Sequence, residues 1–311
     1  FVLSLFAEVL FNDKPLVIRF QDELYFPFLI SYPETTFGGD FETEADYSDP
    51  YVRDLITAGD NWVIDPLIHY SYNTINDIGT AAPSAPDANH WLGTDDTARD
   101  VLARVIYGFR LSVLFTIIVT VATSLVGIIA GALQGFFGGL VDLIFQRMLE
   151  IWGSIPSIYV IIILFAILGR SFWLLVFVTI LFGWPALVGV VRAEFLRARN
   201  FEYVRAARAL GVSNWKIMFR HMLPNAMVAT LTMLPFIITG TIGTLAALDF
   251  LGYGLPSSAP SLGELTRQAK ANLQAPWLAF TAFVTFTILL SLLVFIFEGV
   301  RDAFDPRKTF E

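Results

Sequence analysis

Five stretches of the chain carry no charged residue and are long enough to cross a bilayer: 111–133, 151–169, 171–191, 226–248 and 277–297. A helix needs about 20 apolar residues to span a hydrocarbon layer of roughly 30 Å. The opening run FVLSLFAEVLF, residues 1–11, is apolar but too short to cross alone, and reads as the exit end of a first span. The pattern therefore predicts an all-α membrane protein of six transmembrane helices, the first of them truncated. Pro156, Pro185 and Pro235 fall inside the apolar stretches and predict kinks. Gly127, Gly131 and Gly135 recur every four residues on one helix face, a spacing that lets two helices approach closely. Gly240 and Gly243 are a second small-residue pair. Both sets read as packing faces, with a role on a substrate path as the other reading.

Residues 12–110 are the one long polar segment, an insertion between the first and second spans. From Phe11 to Asn89 acidic residues far outnumber Lys14, Arg19 and Arg53, and aromatics such as Tyr25, Phe28, Phe37, Tyr47 and Trp62 are interleaved. The segment is too aromatic for a disordered acidic tail and too rich in turn signals for long helices. It predicts an ordered extracytoplasmic piece of short strands, turns and irregular chain. Its acidic surface either guides a cationic substrate, docks a delivery protein, or serves as a solvated cap.

Charge fixes the expected orientation. Six crossings place 134–150, 192–225 and 298–311, which includes the tail 301–311, on one side, and that side holds Arg147, Arg192, Arg197, Arg199, Arg205, Arg208, Lys216, Arg220, Arg301, Arg307 and Lys308. Positive charge marks the cytoplasmic face, so both termini are expected there. Arg99, Arg104 and Arg110, just before the second span on the other side, blunt the bias. Arg147 and Glu150, three apart, predict a local ion pair.

Composition agrees with a membrane protein and limits the chemistry. The chain is 55% apolar and 15% charged, with a mean hydropathy of +0.63 and a formal net charge of −8. It has no Cys and three dispersed His, which leaves no thiolate metal site and no His-based metal centre. No G-x-x-x-x-G-K-[ST] loop, HExxH or G-x-S-x-G occurs, so no catalytic or metal residue is assigned. Charge within the spans is scarce, which disfavours a proton-coupled carrier.

One polar stretch between spans stands out, 201–225, FEYVRAARALGVSNWKIMFRHMLPN. Glu202 to Leu210 is helix-forming, and Ala206, Ala207 and Ala209 give it a low profile. Gly211 permits a sharp turn, Ser213 is placed to cap the next helix, and Trp215, Ile217, Met218, Phe219 and Met222 supply apolar bulk. Pro224 closes the segment. The pattern predicts a helix–turn–helix at the membrane surface, either a partner-docking device or a basic interfacial helix that binds anionic headgroups.

This stretch resembles the EAA motif of binding-protein-dependent ABC importer permeases, with Glu202, Ala206, Ala207, Gly211, Leu223 and Pro224 matching in the longer spacing of peptide permeases; the E-A-A triplet is loosened, and His221 stands in the aliphatic place. HWLGTDDTARDVLARVIYGFRLS (90–112) is similar to the block before the second span in C-type subunits of oligopeptide and dipeptide importers, with Ala98 where Gly is usual. LDFLGYGLPSSAPSLGEL (248–265) and VRDAFDPRK (300–308) are similar to their loop after the fifth span and their tail. Together these blocks cover roughly 90–308, and the long insertion with NLQAPWLAFTAF (272–283) is most similar to the permeases of peptide and microcin C importers.

The resemblance implies the type I ABC importer permease fold and a role as permease subunit importing peptides, or peptide-nucleotide antibiotics such as microcin C, from periplasm to cytoplasm. It implies a coupling role for Glu202, Ala206, Ala207, Gly211, Leu223 and Pro224, and periplasmic gate candidates at Asp249, Gly252, Gly254 and Pro256. The implied partners are a homologous second permease in a heterodimer, a cytoplasmic ATPase that binds ATP and Mg, a periplasmic peptide-binding protein and membrane lipid, with no nucleic acid and no cofactor in this chain. A stand-alone channel or ion-driven carrier, and a sensory subunit with the insertion as its head, are the competing readings.

Overall fold

The structure, a computed structural model, describes residues 2–76, 79 and 81–303. The tail 304–311, with the end of the VRDAFDPRK block, lies outside the described residues. The elements run α1 (Val2–Leu5), α2 (Ala7–Leu10), β1 (Val17–Phe20), β2 (Glu23–Tyr25), α3 (Pro50–Thr57), β3 (Trp62–Ile64), α4 (Val101–Phe137), α5 (Gly139–Gly153), α6 (Ser157–Leu168) and α7 (Phe172–Gly183). Then follow α8 (Pro185–Ala198), α9 (Glu202–Ala209), α10 (Asn214–Lys216), a π-helical stretch Ile217–Met222, α11 (Leu223–Phe250), α12 (Leu262–Ala271) and α13 (Pro276–Ala303). The chain divides into two compact units, Phe1–Leu111 with Ser257–Thr285, and Ser112–Pro256 with Phe286–Glu311.

In the first unit the insertion forms a small antiparallel sheet of order β2-β1-β3. Gln21 and Asp22 both take positive φ, 51° and 68°, the two-residue hairpin turn whose twist matches the strands. Ile18 and Phe20 point inward from β1 and meet Phe37, which lies edge-on to Phe20, Tyr25 and Tyr47 at 5.6, 5.3 and 5.9 Å between ring centroids. Val52 and Ile56 close this core from α3, whose N-terminus is capped by Asp49 accepting from Tyr51 N–H at 2.8 Å. A second cluster joins Ala7 and Phe11 to Ile68, Ala103 and Tyr107, with the Tyr107 hydroxyl donating to the Phe11 carbonyl at 2.8 Å.

In the second unit the glycine stripe of α4 is a contact surface. A Cβ on Gly127 would lie 2.6 Å from the Trp184 carbonyl oxygen, one on Gly131 2.8 Å from the Val188 carbonyl oxygen, and one on Gly135 2.5 Å from the Phe195 Cβ. Only hydrogen fits there, and van der Waals contact along the whole stripe holds α4 to α8, the packing reading of the sequence. Gly240 and Gly243 differ: nothing lies within 4 Å of a Cβ built on either.

Among the described residues four helices are long and apolar enough to cross a membrane, Val101–Phe137, Phe172–Ala198, Asn214–Phe250 and Pro276–Val300, and α5 with α6 makes a fifth if counted as one bent span. The kink expected at Pro156 is present, and it is sharp enough to divide the stretch 151–169 between two helices. The helix axis turns by 65° between α5 and α6, at Ser154-Ile155-Pro156, because Pro156 has no N–H to continue α5 and instead precedes the first residue of α6. Residues 2–10 form two short helical pieces, α1 and α2, with Phe6 between them. Outward-facing Ile163, Ile167, Phe280, Phe283 and Phe295 leave large apolar surface on these helices, as lipid contact requires.

Candidate functional site

Residues 201–225 form a short surface helix with a locked end. The Gly211 N–H donates to the Arg208 carbonyl and the Val212 N–H to the Ala207 carbonyl, both at 3.0 Å, while Gly211 sits at φ +72°. This double bond pattern around a left-handed residue terminates α9 and satisfies its last carbonyls. Glu202, Ala206, Ala209 and Leu210 are exposed and Ala207 is half-buried, so one face of α9 is a low ridge open to the surroundings. The opposite face is rooted: Val204 is fully buried with Ile217, Met218 and Met222 in a cluster reaching Ala132 and Phe136 of α4, Val191 and Phe195 of α8, and Ala226 of α11.

The expected apolar bulk splits in two. Ile217, Met218 and Met222 face the core, but Trp215 and Phe219 are exposed and stack on each other at 5.7 Å. The π-helical register of Ile217–Met222 separates these faces. Ser213 occupies the position before α10 but makes no side-chain cap hydrogen bond, a correction: only its backbone carbonyl accepts, from Ile217 N–H at 3.0 Å. Leu223 is half-buried against the same cluster, and Pro224 stands exposed directly after the π-helical turn that leads into α11. Arg147 and Glu150 pair at 2.5 Å.

Asp249, Gly252, Gly254 and Pro256 come together as the corner that ends α11. Gly252 at φ +78° closes the helix, with its N–H on the Asp249 carbonyl and the Tyr253 N–H on the Leu248 carbonyl. Asp249 is buried, and its carboxylate accepts from Leu255 N–H at 2.7 Å; the carboxylate fills the space a Cβ on Gly254 would need. Asp249 therefore holds the turn's shape from within.

A third cluster, in the first unit, was not among the sequence-predicted sites. Asp95 is fully buried and accepts from Arg99 Nε at 2.8 Å and from Thr97 and Arg99 backbone N–H, with Arg104 Nε 3.3 Å away. Arg99 and Arg104 in turn donate to the Ser257 and Ala259 carbonyls at 3.0 Å, which fastens the loop 257–261 ahead of α12 to the start of α4 and to Arg99 just before it. Burial alone would raise the Asp95 carboxyl, but the hydrogen bond from Arg99 and the charges of Arg104 and Arg99 hold it below the usual carboxylate range. Burial and the neighbouring Asp95 raise Asp96. His90 Nδ1 lies 3.0 Å from Asp100 and stacks on Tyr70 at 4.5 Å. Ala98 sits at φ +59°, left-handed backbone, which accounts for Gly being usual there.

The signal for this cluster was present as Asp95 and Arg99 four apart. Arg110 pairs with Glu8 at 2.6 Å. The three arginines that blunt the charge bias are thus each engaged by a carboxylate. Elsewhere in the insertion a polar cavity of about 500 Å³ is lined by Asp13, Asp54, Asp65, Arg53, His69 and Tyr47 among others. Among the described residues no group of His, Asp and Glu is arranged to hold a metal ion.

Comparison with known proteins places this geometry. Residues 124–310 match the family model described as binding-protein-dependent transport system inner membrane component. The chain is 55% identical to the peptidoglycan transport system permease protein YejE of Agrobacterium fabrum, over 100% of this chain and 87% of that protein. It is 54% identical to the inner membrane ABC transporter permease protein YejE of Escherichia coli, over 99% and 90%. The oligopeptide transport system permease protein OppC of Bacillus subtilis is 32% identical over 76% and 78%. Among solved structures, the inward-facing MetNI methionine ABC transporter aligns with a TM-score of 0.56 at 18% identity, over 65% of this chain and 96% of that one, a likeness of fold.

Proposed function

The chain belongs to the family of binding-protein-dependent transport system inner membrane components, the multi-pass permease subunits of ABC importers, and on that premise we propose that it imports peptides by coupling α9 to an ATPase on the cytoplasmic side. The observation that carries this is the build of α9: an exposed small-residue ridge on one face, and on the other a buried root shared with α4, α8 and α11. A helix that merely lay on headgroups would need no such root. Force applied to the ridge reaches three membrane-crossing helices through one packed cluster, and close-packed clusters transmit displacement because they have little room to absorb it.

In this reading Glu202, Ala206, Ala207, Gly211, Leu223 and Pro224 form the docking lever. The partner ATPase supplies ATP and Mg chemistry, and closure of an ATPase pair moves the lever as a rigid body. A homologous second permease completes the path, and a periplasmic peptide-binding protein delivers cargo. The corner at Asp249, Gly252, Gly254 and Pro256 is a stiff element at the outer mouth, and both termini are cytoplasmic. Relatives named for peptidoglycan and oligopeptide transport support a peptide cargo, with peptide-nucleotide antibiotics such as microcin C as a variant of it.

The test is reconstitution with the ATPase, second permease and binding protein. ATP hydrolysis rises when loaded binding protein is added, and labelled peptide accumulates only with ATP. Peptide or ion flux through this chain alone, without ATPase, contradicts the coupling reading in favour of a channel or carrier.

A further inference from the structure

A cavity of about 450 Å³ opens beside the root of α9, lined by Phe136, Phe137, Arg199, Asn200, Arg208 and Asn214. No carboxylate lines it. None of its four polar side chains makes a hydrogen bond or ion pair with any described residue. The nearby acids are already committed: Asp142 is held by Arg192 through two bonds of 2.5 and 2.6 Å, and Glu194 by Arg197 at 2.5 Å.

Both guanidiniums are nevertheless held in place by nonpolar contacts. Arg199 lies against the bare Cα of Gly138, in the space a Cβ there would take, and is half-buried; Arg208 sits 5.0 Å over the Phe136 ring. The Asp142 carboxylate also feels the Arg199 charge, but it is bonded to Arg192 and does not line the cavity, so two cations share a lining that carries no anion and repel each other there. Guanidinium forks match the oxygen spacing of an oxyanion, and the Asn200 and Asn214 amides add donors from two further directions. A tetrahedral anion can accept from all four.

From this we infer that the cavity binds a phosphate-bearing anion, which ties the ends of α4 and α8 to α9. A phospholipid headgroup and free phosphate share this chemistry. The inference is independent of which cargo is carried: occupancy stiffens the lever whether or not peptides are imported.

The test uses the full chain purified in phosphate-free neutral detergent. Unfolding temperature is followed against inorganic phosphate, with chloride at equal ionic strength as reference, and against micelles doped with phosphatidylglycerol or phosphatidylcholine. A saturable rise with phosphate or phosphatidylglycerol is expected, at least tenfold weaker (about 1.4 kcal/mol) in Arg199→Gln and Arg208→Gln and unchanged in Arg197→Gln. Should Arg199→Gln fail to fold, Arg199→Lys keeps the charge without the fork, and an intermediate affinity is expected. A response to phosphatidylglycerol alone identifies a headgroup; a response to both identifies phosphate from either source. Equal responses in wild type and both cavity variants overturn the inference. So does a loss shared by Arg197→Gln, which indicates diffuse charge. Weakened ATPase binding in the cavity variants with an unaltered phosphate response overturns it in favour of a partner's carboxylate.

Discussion

Replacing Gly211 by Ala isolates the backbone geometry of the α9 turn from everything else. Nothing lies within 4 Å of a Cβ built on Gly211, so the methyl meets open space and no clash arises. What it meets is φ +72°, where an L-residue with a Cβ costs about 1–2 kcal/mol. If the chain escapes that strain by unwinding, the bonds from Gly211 and Val212 N–H are exposed to water, at about 0.5–1.5 kcal/mol each. Either route favours the frayed form of α9 by roughly 1–2 kcal/mol, a factor of about 5–30 in its population. Hydrogen exchange at Leu210, Gly211 and Val212 amides should quicken by that factor, and peptide-stimulated ATP turnover in the assembled complex should fall while assembly persists. Gly211→Asn, which tolerates left-handed backbone, should retain most activity, and Gly211→Val should do worse than Ala. Wild-type exchange and coupling in Gly211→Val, or equal damage from Asn and Val, would refute the argument.

Gly131→Leu places a side chain where the Val188 carbonyl stands 2.8 Å from a mere Cβ; overpacking costs about 1–3 kcal/mol or more, read as a fall in unfolding temperature, whereas Gly189→Ala, with open space around it, should stabilise α8 by about 0.5–1 kcal/mol. Asp249→Ala leaves the buried Leu255 N–H without its acceptor at about 1–3 kcal/mol, and a probe on Tyr253 should report a looser corner. Asp95→Asn removes the buried carboxylate that pairs with Arg99 and Arg104 and should cost about 3–5 kcal/mol, seen as proteolytic cleavage within 257–268. The same carboxyl sets an acid limit: because its folded pKa is depressed, its stabilisation is complete above the unfolded value near 3.9 and lost as pH falls through the folded value. An acid-unfolding curve should flatten there in Asp95→Asn.

Most of the helices could be read from the chain because lipid imposes one simple rule, some 20 apolar residues per crossing. The rule fails where a local residue competes: Pro156 breaks the stretch 151–169 into two helices that the hydropathy pattern cannot distinguish from one. The Gly211 turn was legible because a glycine after an Ala-rich run has few other uses, and the α4 stripe because four-residue spacing defines a face. The core position of Ile217 against the surface position of Phe219 was not, since the π register shifts which residues share a side. The Asp95 cluster was hidden for another reason. Its arginines reach carbonyls of residues some 155 positions away, and no periodicity along the chain encodes that.

The central claim is that α9 faces the cytoplasm and takes its force from a nucleotide-hydrolysing neighbour. The chain has no native Cys, so Ala206→Cys gives a single thiol on the exposed ridge. The account predicts that an impermeant maleimide labels it from the cytoplasmic side alone, and that bound ATPase shields it. Labelling from the periplasmic side, or equal labelling with and without the ATPase, would contradict it.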